Sequence, residues 1–283
     1  VNQEARRAAE YRVHTHRRLL TAAAATAAVL LVAAWASPSP PWPARLVLPR
    51  VLPRRTVAVP ILMYHRVGPL TPRLSAMTTA LTVPPAQFAA QMRWLHAAGY
   101  HALTQEQLFE ALEHHARLPR RPVLITFDDG YQDVLWNAAA VLHRLHMPAT
   151  AYVITSRISG ADSSFLTWGD LGSLERLGFD IGSHTADHVE LPYVSRAEAR
   201  RQLEESRRAL EQHLGHPVQW FSYPAGAEDP AVLPLVRGAG YVLAVTTHPG
   251  VLQSSRHPFE LRRYEILAST GVAGLAALLG HRT

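Results

Sequence analysis

The chain has 283 residues, enough for one large domain or two small ones with a sizeable core. It has no cysteine, and its 28 basic residues are all arginine, so disulfides, thiolate metal sites and a thiol nucleophile are excluded. Residues 1–55 carry nine Arg against Glu4 and Glu10, and the remainder 19 Arg against 20 acids, so the folded part lacks the basic patch of a nucleic-acid protein.

Arg6, Arg7, Arg12, Arg17 and Arg18 precede residues 19–36, a run without a charge. As a helix it would reach about 27 Å, close to the roughly 30 Å of a bilayer's hydrocarbon core. A basic flank, an apolar stretch and Ala34-Trp35-Ala36 before Ser37 form the layout of an export signal. Residues 1–36 are therefore expected to be a signal peptide or membrane anchor. The protein is expected to be exported, either anchored facing outside the cytoplasm or secreted after cleavage. Residues 37–56 belong to a proline- and arginine-rich stretch that cannot build a helix or a central strand, and read as a semi-rigid linker.

From Val57 onward strands and helices alternate. Residues 59–64 are predicted as a short strand ending at His65, and Pro85 opens a helix with Phe88, Met92 and Leu95 on one face, stopped by Gly99. Residues 100–103 read as a strand, and Thr104 with Gln107 as a capping box for a helix carrying Leu108 and Leu112. The strand at 123–127 is followed by a helix whose Val134, Leu135, Ala138, Val141, Leu142 and Leu145 have a 3.6-residue period.

A strand at 150–154, a helix capped by Thr167 and ended by Gly178, and a strand at 179–182 come next. Ser195 and Glu198 predict a second capping box, for a helix ending at Gly215. Strands at 218–222, 241–246 and 261–266 complete the series. Roughly seven or eight βα repeats predict an α/β fold, a distorted (β/α) barrel of about seven strands, TIM-barrel-like, over residues 57–283, with the N-terminal hydrophobic helix outside it. Such barrels keep their chemistry at the carboxyl ends of strands, where His65, Asp128, Asp129, His184 and Tyr223 all fall.

Two short motifs stand out. Thr126-Phe127-Asp128-Asp129-Gly130 ends a buried strand with two carboxylates, which need a turn before both can address one site; Gly130 supplies the backbone freedom. Alone, Asp-Asp-Gly is ordinary turn chemistry. His184-Thr185-Ala186-Asp187-His188 places two imidazoles four residues apart after another strand, so one helical or turn-like step would bring them to the same side, as in paired metal ligands.

Taken together, these motifs resemble those of the polysaccharide deacetylases, the NodB-homology or fourth carbohydrate esterase family. The family's T-F-D-D-G stands unaltered at 126–130 and its H-[ST]-x-x-H at 184–188; a third motif appears in altered form as Phe221-Ser222-Tyr223-Pro224-Ala225-Gly226. The resemblance covers about residues 57–266, and Ile61-Leu62-Met63-Tyr64-His65-Arg66-Val67 looks like the exported poly-N-acetylglucosamine deacetylases. It implies that Asp129, His184 and His188 hold a divalent metal, zinc first, with cobalt or nickel as alternatives. It further implies that Asp128 is the base and that the Ala225 backbone N–H stabilises the oxyanion. The implied reaction is hydrolytic N-deacetylation of an extracellular N-acetylglucosamine-containing polysaccharide, with release of acetate.

The sequence also departs from that pattern. The family commonly has an Arg orienting the base where Ser222 stands, and an aromatic where Ala225 stands; the first departure removes a charge partner. Thr247-His248-Pro249-Gly250 falls where an acidic residue and Trp are expected, so the general acid is unassigned, with His65 the first candidate beside His248 and His257. Trp168 and Tyr223 are candidate substrate-binding walls. The alternatives are a peptidoglycan or other acyl amide or ester hydrolase on the same scaffold, or a carbohydrate-binding relic with weak or no activity.

Overall fold

The computed structural model describes residues 54–158 and 160–280. The predicted leader and most of the linker lie outside the described residues. Among the described residues, no helix is long and apolar enough to cross a membrane.

The described residues form twelve strands: β1 Thr56–Ala58, β2 Ile61–Tyr64, β3 Arg66–Val67, β4 Thr82–Val83, β5 His101–Ala102, β6 Pro122–Phe127, β7 Ala149–Val153, β8 Phe179–Ser183, β9 Trp220–Ser222, β10 Leu243–Val245, β11 Leu252–Ser254 and β12 Tyr264–Glu265. Eight make one sheet in the order β10-β9-β8-β7-β6-β2-β12, with β5 on the first two residues of β6, and every pairing is parallel. All residues of β2 and β7 are buried, as parallel strands covered on both faces require. The edges meet where Val245 bridges Leu261 in parallel, with Thr246 N–H donating to Leu261 O at 2.8 Å. Leu261 leads directly into β12, so the sheet curls into the expected distorted barrel.

Strand alternation splits the core in two. Along β2 and β6, Leu62, Tyr64, Val123, Ile125 and Phe127 pack outward in the larger cluster with Phe88 and Met92 from the helix Pro85–Ala97. Ile61 and Leu124 point the other way, into the barrel, with Tyr152, Trp220, Leu243, Val245 and Leu261. Continuing that inward parity toward the carboxyl ends of the strands gives His65, Asp128, Ser222 and Arg263. Gly182 is required here, because a Cβ would lie 2.5 Å from the Tyr152 ring.

Most local expectations hold. Pro85 occupies the first turn of its helix, Thr104 and Gln107 form the reciprocal capping box, and Gly215 ends the helix Arg196–Leu214 at φ +79°. Two differ. The segment after the paired aspartates opens as a π-helix, Val134–Ala139, before the α-helix Ala140–Arg144. The wider turn buries Val134, Ala138 and Ala139 together while Asn137 donates to Val67 O at 2.7 Å. At Ser195 only half the box forms: its hydroxyl accepts from Glu198 N–H, but the Glu198 carboxylate is taken by Arg201 and Gln202.

Candidate active site

The turn that joins the two carboxylates is sharper than Gly130 alone would make it. Asp128 still belongs to the sheet, its N–H donating to Tyr64 O at 2.9 Å. Asp129 then takes φ +74° and Gly130 φ +80°. A left-handed non-glycine residue costs about 1–2 kcal/mol, and here it places Asp129 beside Asp128 rather than across the strand from it. The histidine motif uses the same device, with Thr185 at φ +67° and His188 at φ +61°. Its two imidazoles therefore converge through a strained loop, not along a helix.

Asp129 Oδ1 lies 3.4 Å from His184 Nε2 and 3.4 Å from His188 Nε2. One donor atom from each residue falls within 4.8 Å of the other two. His184 is buried, and its Nδ1 lies 2.8 Å from Ser222 O. A carbonyl only accepts, so Nδ1 carries a proton and Nε2 is the nitrogen turned toward Asp129. Asp129 Oδ1 is buried and accepts no well-formed hydrogen bond among the described residues. Burial lowers the His184 pKa, but the Asp129 and Asp128 carboxylates outweigh it and raise the group overall. Burial and the neighbouring His184 hold His188 low, favouring its neutral form. Two imidazoles and a carboxylate with an unclaimed buried oxygen fit a divalent cation such as zinc.

Asp128 has a partner that the sequence motifs do not contain. The fully buried Arg263 reaches across the barrel and meets it with both ends of its fork: Nη1 donates to Oδ1 at 2.8 Å and Nη2 to Oδ2 at 2.7 Å. Nη1 also donates to Thr126 Oγ1 at 3.2 Å, Nη2 to Ser222 Oγ at 3.0 Å and Nε to Thr246 O at 2.8 Å. These bonds match the five N–H groups of a guanidinium. Ser222 Oγ in turn donates to Asp128 Oδ2 at 3.1 Å. Burial alone would raise the Asp128 carboxyl; the charge and hydrogen bonds of Arg263, with smaller effects from His184 and His65, hold it well below the usual carboxylate range. The expectation that Ser222 leaves this acid without a charge partner is thus corrected.

Asp128, Asp129, His184 and His188 face a cavity of about 570 Å3. Ala225 lines it from a tight turn at φ +54°, exposed, and its N–H makes no hydrogen bond among the described residues. Gly226 beside it is obligatory, since a Cβ there would meet the Thr247 backbone N at 2.7 Å. His65 lines the cavity with Nδ1 buried and unpartnered. His248 and His257 are not part of its lining and lie near Glu228 and Glu260. Tyr223 lines it too, but it is fully buried and packed edge-on against Phe221, which rules out an open stacking platform. The expectation for Trp168 is not met: it does not line this cavity, and its ring stacks on His213, 3.8 Å between centroids. Trp168 begins one helix and His213 ends another, so its face is consumed in joining them.

The chain is similar to known deacetylases in sequence and in fold. A sequence model of the family described as polysaccharide deacetylase matches residues 115–244, a span holding Asp128, Asp129, His184, His188 and Ala225 but neither His65 nor Arg263. The chain is 31% identical over 218 residues to YxkH of Bacillus subtilis (strain 168), whose name places it among polysaccharide deacetylases, covering 77% of this chain and 74% of that protein. It is 28% identical over 185 residues to the poly-beta-1,6-N-acetyl-D-glucosamine N-deacetylase of Staphylococcus epidermidis, covering 58% of this chain and 64% of that one. The fold resembles the Streptococcus pyogenes deacetylase PplD, solved in complex with acetate, with TM-score 0.73 and 26% identity over 80% of this chain and 99% of that one.

Proposed function

This chain belongs to the polysaccharide deacetylase family, and from that premise we propose that it hydrolyses the acetamide of N-acetylglucosamine units in an extracellular polysaccharide, with a divalent metal, zinc first, at Asp129, His184 and His188. The observation that carries the reading is the convergence of those three donors beside a carboxylate that Arg263 keeps ionised. The ion would act as a Lewis acid, acidifying water and polarising the acetamide oxygen.

The chain's own groups do the rest. Asp128 is the base: Oδ1 accepts one bond from Arg263, so a lone pair remains for a proton from the attacking water. Arg263 orients that carboxylate and prevents it from becoming protonated through burial. The oxyanion that develops at the acetamide carbonyl meets the N–H of Ala225, whose left-handed turn lines the cavity. The departing amine needs a proton, and His65 is the cavity imidazole outside the metal-ligand set, so it is assigned that role. The arginine-rich leader with its uncharged run supports export, with the domain either tethered or released.

Acetate release from β-1,6-linked and β-1,4-linked N-acetylglucosamine oligomers, with and without chelator, tests the proposal beside Asp128→Asn. Chelator-sensitive release abolished by the substitution is expected. Metal binding with no acetate from any glycan or acetyl ester would overturn it in favour of a carbohydrate-binding protein.

A further inference from the structure

One wall of the same cavity alternates charges with rings. Tyr131, two residues after Asp129, lies against Phe165 with ring centroids 4.9 Å apart and planes 20° from parallel. Backbone pairing fixes the two: they form an antiparallel bridge, flanked by Gln132 N–H donating to Ser164 O and Leu166 N–H to Gly130 O, each at 2.9 Å. A guanidinium sits over each ring, Arg66 at 4.8 Å from the Tyr131 centroid and Arg157 at 5.4 Å from that of Phe165. All four side chains line the cavity that holds the metal-ligand set.

The two arginines differ in what balances them. Arg66 Nε donates to Asp133 Oδ2 at 2.7 Å, and the other oxygen of that carboxylate accepts from Val67 N–H at 3.1 Å, so its charge is met within the protein. Arg157 is exposed, and among the described residues it forms no ion pair. Asp162 feels its charge but engages the Ser164 N–H instead. Its position over the Phe165 ring restrains the guanidinium, and among the described residues its N–H groups donate no hydrogen bond. A restrained fork of that kind matches two oxygens of a carboxylate or phosphoryl group.

The geometry points to Arg157, presented on the Phe165 and Tyr131 stack, as a subsite for an anionic group carried by the sugar next to the one that is deacetylated; this rests on the deacetylase reading of the same cavity. The unpaired charge favours an anionic group over a neutral one, and a neighbouring residue already converted to an ammonium is repelled by it. The enzyme therefore prefers an acidic N-acetylated glycan.

The test compares wild type, Arg157→Gln and Arg157→Lys on oligomers of alternating N-acetylglucosamine and N-acetylmuramic acid with a free lactyl carboxylate, and on their methyl esters. N-acetylglucosamine oligomers with and without a 6-phosphate form a second pair, which separates a phosphoryl from a carboxylate preference. In wild type, KM for at least one acidic member should be about three- to tenfold below that of its neutral partner, the range of a partly exposed charge-assisted contact, with kcat little changed. The ratio should fall to about one in Arg157→Gln and be partly kept in Arg157→Lys. Equal KM within both pairs in wild type, or a ratio that survives Arg157→Gln, overturns the inference while leaving deacetylation intact. If no oligomer releases acetate, the deacetylase reading fails separately. Calorimetric binding of the same pairs then decides the subsite: an acid preference lost in Arg157→Gln sustains it, and equal binding ends it.

Discussion

Replacing Arg263 by Met should cripple the enzyme and unsettle the barrel together. Arg263 is fully buried and ties Asp128 to Thr126, Ser222 and Thr246. Removing one partner of a buried ion pair costs about 3–5 kcal/mol, because the remaining charge is left uncompensated. Asp128→Asn should also destabilise, since it leaves the guanidinium unbalanced. The two losses have one origin, so Arg263→Met with Asp128→Asn should be less destabilised than the sum of the singles by at least about 1 kcal/mol, as contacting residues in one network behave. Urea unfolding of the four proteins at pH 7 measures the cycle, and acetate release measures the catalytic loss. Arg263→Lys keeps a charge but not the fork, and should recover stability better than activity. Additive stabilities, or an Arg263→Met protein as stable and active as wild type, would refute the positioning role.

Three further predictions follow from single residues. Asp180, which accepts from Gln105 N–H at 2.8 Å, has its pKa raised by burial and by Glu106 and Glu175. An acid raised in the fold adds stability below its unfolded pKa, near 3.9, and loses it as pH rises through the folded value. Asp180→Asn should therefore gain on wild type in urea midpoint between pH 4 and pH 7, and the opposite trend would contradict that sign. Ala225→Gly should keep its activity, because the proposed donor is a backbone N–H, and should gain up to about 1 kcal/mol by relieving φ +54°; a loss of kcat would show that the methyl group matters. Trp168→Phe should leave KM for every oligomer unchanged while lowering the melting temperature slightly, through lost packing on His213; a rise in KM would restore Trp168 as a sugar wall.

Much of this architecture could be read from the residues alone. The parallel strands announce themselves as short apolar runs, and Asp129, His184 and His188 sit in contiguous motifs at their ends. Arg263 escapes the motifs because its partner is 135 residues away in sequence. A signal is nevertheless present: Arg263 lies two residues beyond Leu261 in the run predicted as a strand, the inward parity shared by Asp128 beyond Thr126 and Ser222 beyond Trp220. A buried Arg at an inward position asks for a buried acid. The left-handed turns at Asp129, Thr185 and His188 carry no such mark, since non-glycine residues seldom adopt them and tertiary contacts enforce them. An aromatic at a helix start looks the same in sequence whether it faces a cleft or, as Trp168 does, a neighbouring helix.

The central claim is that Asp129, His184 and His188 hold the ion on which deacetylation depends. Its most direct measurement is acetate release by chelator-treated protein titrated with zinc, cobalt or nickel, run beside Asp129→Asn and His184→Gln. No release is expected after chelation, with recovery at about one ion per wild-type chain and no recovery in either variant at the same metal concentration. Release that survives chelation, or variants restored as readily as wild type, would contradict it.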